Sequence, residues 1–199
     1  MPRNGAIILL NTRAPKARGA VNRALFTKSR LIPGQTLLVQ GASGGMSTAL
    51  IQMGRAAGFE VWVTTRNDEG AAIAERLGAN RVFRHGEPLP HRADAVVDNI
   101  GAATWADSLK AVKRGGVLMI NGITTGHIAQ ADLLRIFVEQ IDIRGTIMGT
   151  LKEMKAMMQF VIRNRIEPEI GAVMPMTQAP EAIRDMIEGR TRGKTVFTR

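Results

Sequence analysis

From residue 32 onward, short continuous apolar runs alternate with stretches whose apolar positions recur every three or four residues. The runs at 35–40, 60–65, 81–83, 93–98, 117–121 and 142–147 read as strands. The stretches at 46–57, 68–77, 103–112 and 133–140 read as helices, with Gly78 ending the second and Gly115-Gly116 stopping the third. Strands rich in Val, Ile and Leu, without polar alternation, belong in a parallel sheet covered on both faces. Short crossovers of one hand then make the sheet doubly wound, a Rossmann-type α/β fold. The tail reads differently, as a short α+β segment. Its helix at 152–164 sets Met154, Met157, Met158 and Val161 on one side as core filler. Strands at 172–176 and 195–198 flank a last helix at 180–188, and the early apolar run 6–10 also reads as a strand.

Composition narrows the function classes. The chain has 199 residues, 45% hydrophobic and 22% charged, with no run long enough to span a membrane. It has no cysteine, which removes disulfides, thiolate metal sites and thiol nucleophiles and fits a reducing cytoplasm. The net charge is +10, and no Asp or Glu precedes Glu60, so residues 1–19 form a basic arm. Such an arm attracts nucleic acid in principle. Only 4% of residues are aromatic and no zinc-finger or helix-turn-helix spacing occurs, so a solvated surface is the expectation and nucleic acid is not an expected partner.

The most informative feature is the run Gln40-Gly41-Ala42-Ser43-Gly44-Gly45-Met46-Ser47 between the first strand of the series and its first helix. A strand that breaks into glycines and restarts as a helix gathers free amide N–H groups at the positive end of the helix dipole, a place for phosphate. Gly41-x-x-Gly44-x-x-Ser47 departs from the dinucleotide fingerprint only at its third position, where serine is small enough to replace glycine. At the end of the second strand, where NAD sites place an acid, stands Thr64-Thr65-Arg66. Arginine suits the 2′-phosphate of NADP, although an exposed arginine can also be a plain surface cation.

Residues 20–199 resemble the C-terminal part of the medium-chain dehydrogenase/reductase superfamily, on its zinc-independent quinone oxidoreductase side. The likeness lies in Asn22-Arg23-Ala24-Leu25-Phe26, the segment 31–39, the glycine turn, Leu77-Gly78-Ala79-Asn80, Ala95-Val96-Val97-Asp98, Arg114-Gly115-Gly116-Val117-Leu118 and Gly193-Lys194-Thr195-Val196. The resemblance implies an NADP-binding domain over 20–150, with 151–199 packing on a catalytic domain. It implies pyrophosphate contacts from Ser43, Gly44, Gly45 and Met46, with Gly41 of the fingerprint among the cofactor-binding positions, and 2′-phosphate contacts from Thr65 and Arg66. Gly70 stands where many members have a lysine, which weakens the NADP expectation. His85 is implied against the adenine side, Gly101 near a ribose, and Asn121, Gly122, Ile123, Ile147 and Met148 around the nicotinamide. His91 and His127 receive no role, and no metal is expected.

The family's GroES-like catalytic domain has no counterpart here, so the resemblance implies a chain truncated relative to it. In the zinc-free branch, hydride passes from NADPH to a quinone or activated alkene, and the protein supplies position and electrostatics rather than an acid–base pair. Two readings follow: a quinone reductase-type oxidoreductase, acting as a fragment or with a partner, or a nucleotide-binding or interaction module without turnover. The family further implies a homodimer. The tail strands expose edges that a second chain, or the run 6–10, can pair with.

Overall fold

The computed structural model describes residues 8–9, 19–191 and 193–198. Of the expected basic arm, only Ile8, Leu9 and Gly19 fall among them. In chain order the elements are β1 (Ile8–Leu9), then helix α1 over residues 19–22, which continues as π-helix through Arg23–Lys28. Next come β2 (Thr36–Gln40), α2 (Gly45–Ala56), β3 (Glu60–Thr65), α3 (Asp68–Arg76) and β4 (Arg81–Arg84). The second half runs β5 (Ala93–Asp98), α4 (Trp105–Ala111), β6 (Val112–Ile120), α5 (Leu133–Val138) and β7 (Asp142–Gly145). The tail holds α6 (Leu151–Arg163), β8 (Ile170–Pro175), α7 (Ala179–Ile187) and β9 (Lys194–Thr198).

Six strands form one parallel sheet in the order β4-β3-β2-β5-β6-β7, the doubly wound arrangement that the alternation predicts. Because β2 and β5 are covered on both faces, adjacent residues belong to opposite cores. Leu37, Val39, Ala95 and Val97 pack with Leu50, Ile51 and Met53 of α2 and with Met157 and Val161 of α6. Leu38, Trp62, Val96 and Leu118 pack with Leu109 of α4 on the other side. The order in which strands are added reverses between β2 and β5, so a crevice opens at their C-terminal ends.

The second sheet has three strands, β1-β9-β8. Ile8 and Leu9 pair antiparallel with Phe197 and Val196, so the run 6–10 does supply a strand, while positions 6, 7 and 10 lie outside the described residues. β9 is therefore central, with both edges filled, and only β8 keeps the open edge expected of both tail strands. Two other expectations need correction. The third helix ends at Ala111, not at the double glycine: Val112 already pairs with Ala93, and residues 113–116 are taken up by a register shift before Val117 rejoins β5. Met158 is 44% exposed, because it lies a further 100° round the helix from the fully buried Met157.

Candidate functional site

The crevice at the switch point has a volume of about 700 Å³ and is walled by the glycine turn, the ends of β3 and β5, the loop at 124–125 and residues 189 and 191 of the tail. The turn has the sharp, glycine-built backbone that the sequence suggests. Gly41 has φ +85°, a left-handed conformation that lets the chain leave β2 sharply. Gly44 is the N-cap of α2, no side chain caps it, and the first turn contains no acid, so the amides at the helix start face an uncompensated dipole end. Ser47, at the third fingerprint position, is buried and accepts a hydrogen bond from Asn99 Nδ2 at 3.3 Å, tying α2 to the loop after β5.

Arg66 and Thr65 line the crevice beside Asn67, whose side chain caps α3 by accepting from the Gly70 amide at 2.9 Å. At Gly70 a β-carbon would overlap the Thr65 hydroxyl, so a lysine there would require that hydroxyl to turn away. His85 lines the same crevice. Beneath the opposite wall, Asp98 is 1% exposed and accepts from the amides of Ile100 (2.8 Å) and Gly101 (2.9 Å) and from the hydroxyls of Thr104 and Ser108. Four donors without a cation fix the loop that follows β5, and Ile100, Ala103 and Thr104 present it to the crevice.

Of the positions predicted to meet a dinucleotide, Gly41, Ser43, Gly44, Thr65, Arg66 and His85 converge on this crevice. Gly45 lines an adjoining cavity of about 210 Å³ with Ala182, Ile183 and Met186 of α7. Met46 is half-buried and packs against the core beneath α2. Gly101, Asn121 and Gly122 lie at the ends of β5 and β6 outside the crevice wall, and Ile123, Ile147 and Met148 are exposed at 58%, 73% and 46%.

Sequence reasoning missed Lys194. It is buried at the start of β9 and lies across Gly45, where a β-carbon would come within 2.5 Å of its Nζ. Its neighbour Gly193 donates to the Ser43 carbonyl at 3.2 Å, so the tail is latched to the glycine turn. The only signal in the sequence was the closing Gly193-Lys194, which carried no assigned role. Behind the latch, Glu169 takes a two-pronged contact from Arg76 (2.7 and 3.0 Å) and accepts the Lys194 amide through its carbonyl. The Arg76 hydrogen bonds, and next its charge, hold the Glu169 carboxyl below the usual range against the opposing effect of burial.

The crevice, the cradle at Gly45 and the uncapped helix start fit a dinucleotide diphosphate. A zinc ion is a different matter. The chain has no cysteine, and among the described residues no three His, Asp or Glu side chains gather, so the residues present do not fit a zinc centre.

Comparison with known proteins agrees with the fold. The zinc-binding dehydrogenase family pattern matches residues 45–163. The zinc-type alcohol dehydrogenase-like protein YogA of Leptosphaeria maculans is 30% identical over 187 residues, covering 86% of this chain and 52% of that protein. Quinone oxidoreductase of Mus musculus is 26% identical over 189 residues, 87% of this chain and 56% of the relative. The chain thus spans about half the length of the curated relatives it matches. Among solved structures, an NAD-dependent alcohol dehydrogenase superposes with TM-score 0.86 at 27% identity, covering 93% of this chain and 57% of that one. The 2-octenoyl-CoA carboxylase reductase CinF, in complex with NADP and 2-octenoyl-CoA, gives TM-score 0.86 at 22% identity, covering 92% and 48%, a likeness of fold. On these grounds the chain belongs to the zinc-binding dehydrogenase family, within the medium-chain dehydrogenase/reductase superfamily, and carries that superfamily's nucleotide-binding part.

Proposed function

We propose that this chain binds NADP(H) in the switch-point crevice and serves, in the cytoplasm, an oxidoreductase that passes hydride to a quinone or activated alkene. The observation that carries the reading is the uncapped start of α2 facing the buried Lys194 ammonium across the glycine turn. In this reading residues 20–150 hold most of the dinucleotide. The tail, 151–199, closes the diphosphate site through Lys194 and otherwise packs on a catalytic domain. Ser43, Gly44, Gly45 and Met46 present backbone amides to the diphosphate, and Arg66 with Thr65 takes the 2′-phosphate. His85 and Ile100 bracket the adenine. The dinucleotide, when bound, supplies the hydride. The protein's own contribution is position, worth on the order of 7–11 kcal/mol where orientation is good.

A second reading, binding without turnover, draws support from the exposed Ile123, Ile147 and Met148, which leave the nicotinamide end of the site without a wall on that side. The dimer belongs to the proposal as well. β7 is an open sheet edge, and α5 buries none of its residues, leaving Leu133, Leu134, Phe137 and Val138 exposed. Antiparallel pairing of two copies about Ile143 sets Asp142 of each opposite Arg144 of the other.

Calorimetric titration with NADPH and NADH tests the assignment: NADPH binds at least tenfold tighter, and Arg66→Ala removes most of that preference. Equal or tighter binding of NADH refutes the NADP(H) assignment. NADPH oxidation with quinones or enones by this chain alone separates turnover from binding.

A further inference from the structure

The outer face of α6 joins an apolar row to a row of free cations. At about 100° per residue, Met157 and Val161 fall together on the side of the helix buried in the core. Leu151, Met158 and Ile162 fall within about 40° of one another, roughly 100° round from that side. Leu151 is 72% and Ile162 69% exposed, and Met158 is exposed beside them. The row they make runs about 16 Å along the helix. Further round come Lys155, Lys152 and Arg163, all exposed, and Arg165 follows just past the helix end. Among the described residues, none of these four cations has an ion pair. The one acid of the helix, Glu153, is turned toward α1, where it accepts from the Thr150 amide (2.7 Å), the Thr27 hydroxyl (3.0 Å) and Arg23 (3.4 Å). On that side a groove of about 500 Å³ is lined by Phe26, Ala156, Phe160 and Lys152, with the two phenyl rings 5.0 Å apart.

A helix face that has only to meet water carries polar residues. Exposed apolar side chains beside unpaired cations suit a partner that is negatively charged at its surface and apolar beneath. Nucleic acid would answer the cations and leave Leu151, Met158 and Ile162 in water. A folded acidic protein must bring each carboxylate to a fixed place, yet these cations stand on long side chains that nothing anchors. A bilayer with anionic headgroups meets both demands. Its mobile charges gather under the cations wherever they stand, and its interface takes up the apolar row while the lysine stems reach back to the headgroups. The net charge of +10 draws the chain to such a surface from a distance. No helix among the described residues is long and apolar enough to cross a membrane, so the contact is with the surface of one leaflet.

We infer that the outer face of α6 docks on an anionic lipid surface, with Leu151, Met158 and Ile162 in the headgroup layer and Lys152, Lys155 and Arg163 against its charge. The inference stands apart from the dinucleotide reading, and it leaves the open edge of β8 for packing on a catalytic domain.

The test is sedimentation of the full chain with vesicles of phosphatidylcholine containing roughly 30% phosphatidylserine, and with phosphatidylcholine alone, at about 0.1 M salt. Wild type should partition onto the anionic vesicles and stay off the neutral ones. Each cation is worth about fivefold, so Lys152→Gln, Lys155→Gln and Arg163→Gln together should weaken partitioning about hundredfold. Leu151→Ser with Ile162→Ser, which leaves the charge alone, should weaken it about tenfold. Lys110→Gln, Arg114→Gln and Arg184→Gln, an equal loss of charge elsewhere on the surface, should change it less than about threefold. Every substituted side chain is exposed, and melting curves matching wild type show the variants to be folded. A wild-type protein that ignores the anionic vesicles overturns the inference. So does an α6 triple variant that binds no more weakly than the control triple, which would assign the binding to net charge or to residues 1–19. A serine variant that binds like wild type also overturns it, and would make the cations a site for nucleic acid or an acidic protein instead.

Discussion

Asp98→Ala is the most demanding test of how the crevice wall is held. The substitution leaves four donors without their acceptor: the amides of Ile100 and Gly101 and the hydroxyls of Thr104 and Ser108. They differ in what they can do next. Ile100 and Gly101 are half-exposed, so their amides regain water at small cost. Thr104 and Ser108 are 1% and 0% exposed, and water does not reach them without local opening. Thr104 already lies 3.1 Å from the Gly101 carbonyl and keeps that acceptor. Ser108 bears the loss in full. An unmet buried group costs about 1–3 kcal/mol, so the sum is roughly 3 kcal/mol, a large part of a typical total of about 5–15 kcal/mol. Urea unfolding should show this as a lower midpoint at unchanged slope. Ser108→Ala, which removes one donor and leaves Asp98 its other three, should cost only about 1 kcal/mol. A loss below about 1 kcal/mol for Asp98→Ala would refute the view that this carboxylate organises the loop.

Two further expectations follow from the packing and the charges. Gly122→Ala drives a β-carbon into the backbone of Asn99, so the loops after β5 and β6 must part; a destabilisation of about 2 kcal/mol or more is expected in thermal melts, and a neutral result would show the loops to be loosely joined. The lowered Glu169 carboxyl contributes stability that is fully present above its unfolded value near about 4.3 and is lost as pH falls through its lower native value. The gap in melting temperature between wild type and Arg76→Leu should therefore be constant above about pH 5 and close toward pH 3. Because Arg76 is 57% exposed the gap should be small, and a gap indifferent to pH would assign it to packing instead.

Local regularities made the sheet legible. Every strand of the large sheet and every helix from α2 to α7 lies within a few residues of where apolar spacing places it, because a buried strand and an amphipathic helix each write their period into the chain. The start of β6 was hidden because Lys113-Arg114-Gly115-Gly116 carries no apolar signal, and only pairing with Ala93 and Ala95 defines it. The glycine turn was visible since strand, glycines and helix are contiguous. Lys194 was not, because it meets Gly45 only after the tail folds back across the turn. Asp98 looked like the end of a strand, and nothing local marks it as the acceptor for a whole loop.

The latch between the tail and the glycine turn has a consequence for the order of events in synthesis. Lys194 leaves the ribosome after every residue that lines the crevice, while the turn it completes has long since emerged. On the proposed reading, a nascent chain displays a half-built anion cradle, and coenzyme acts as a folding ligand only once β9 is free to close over it.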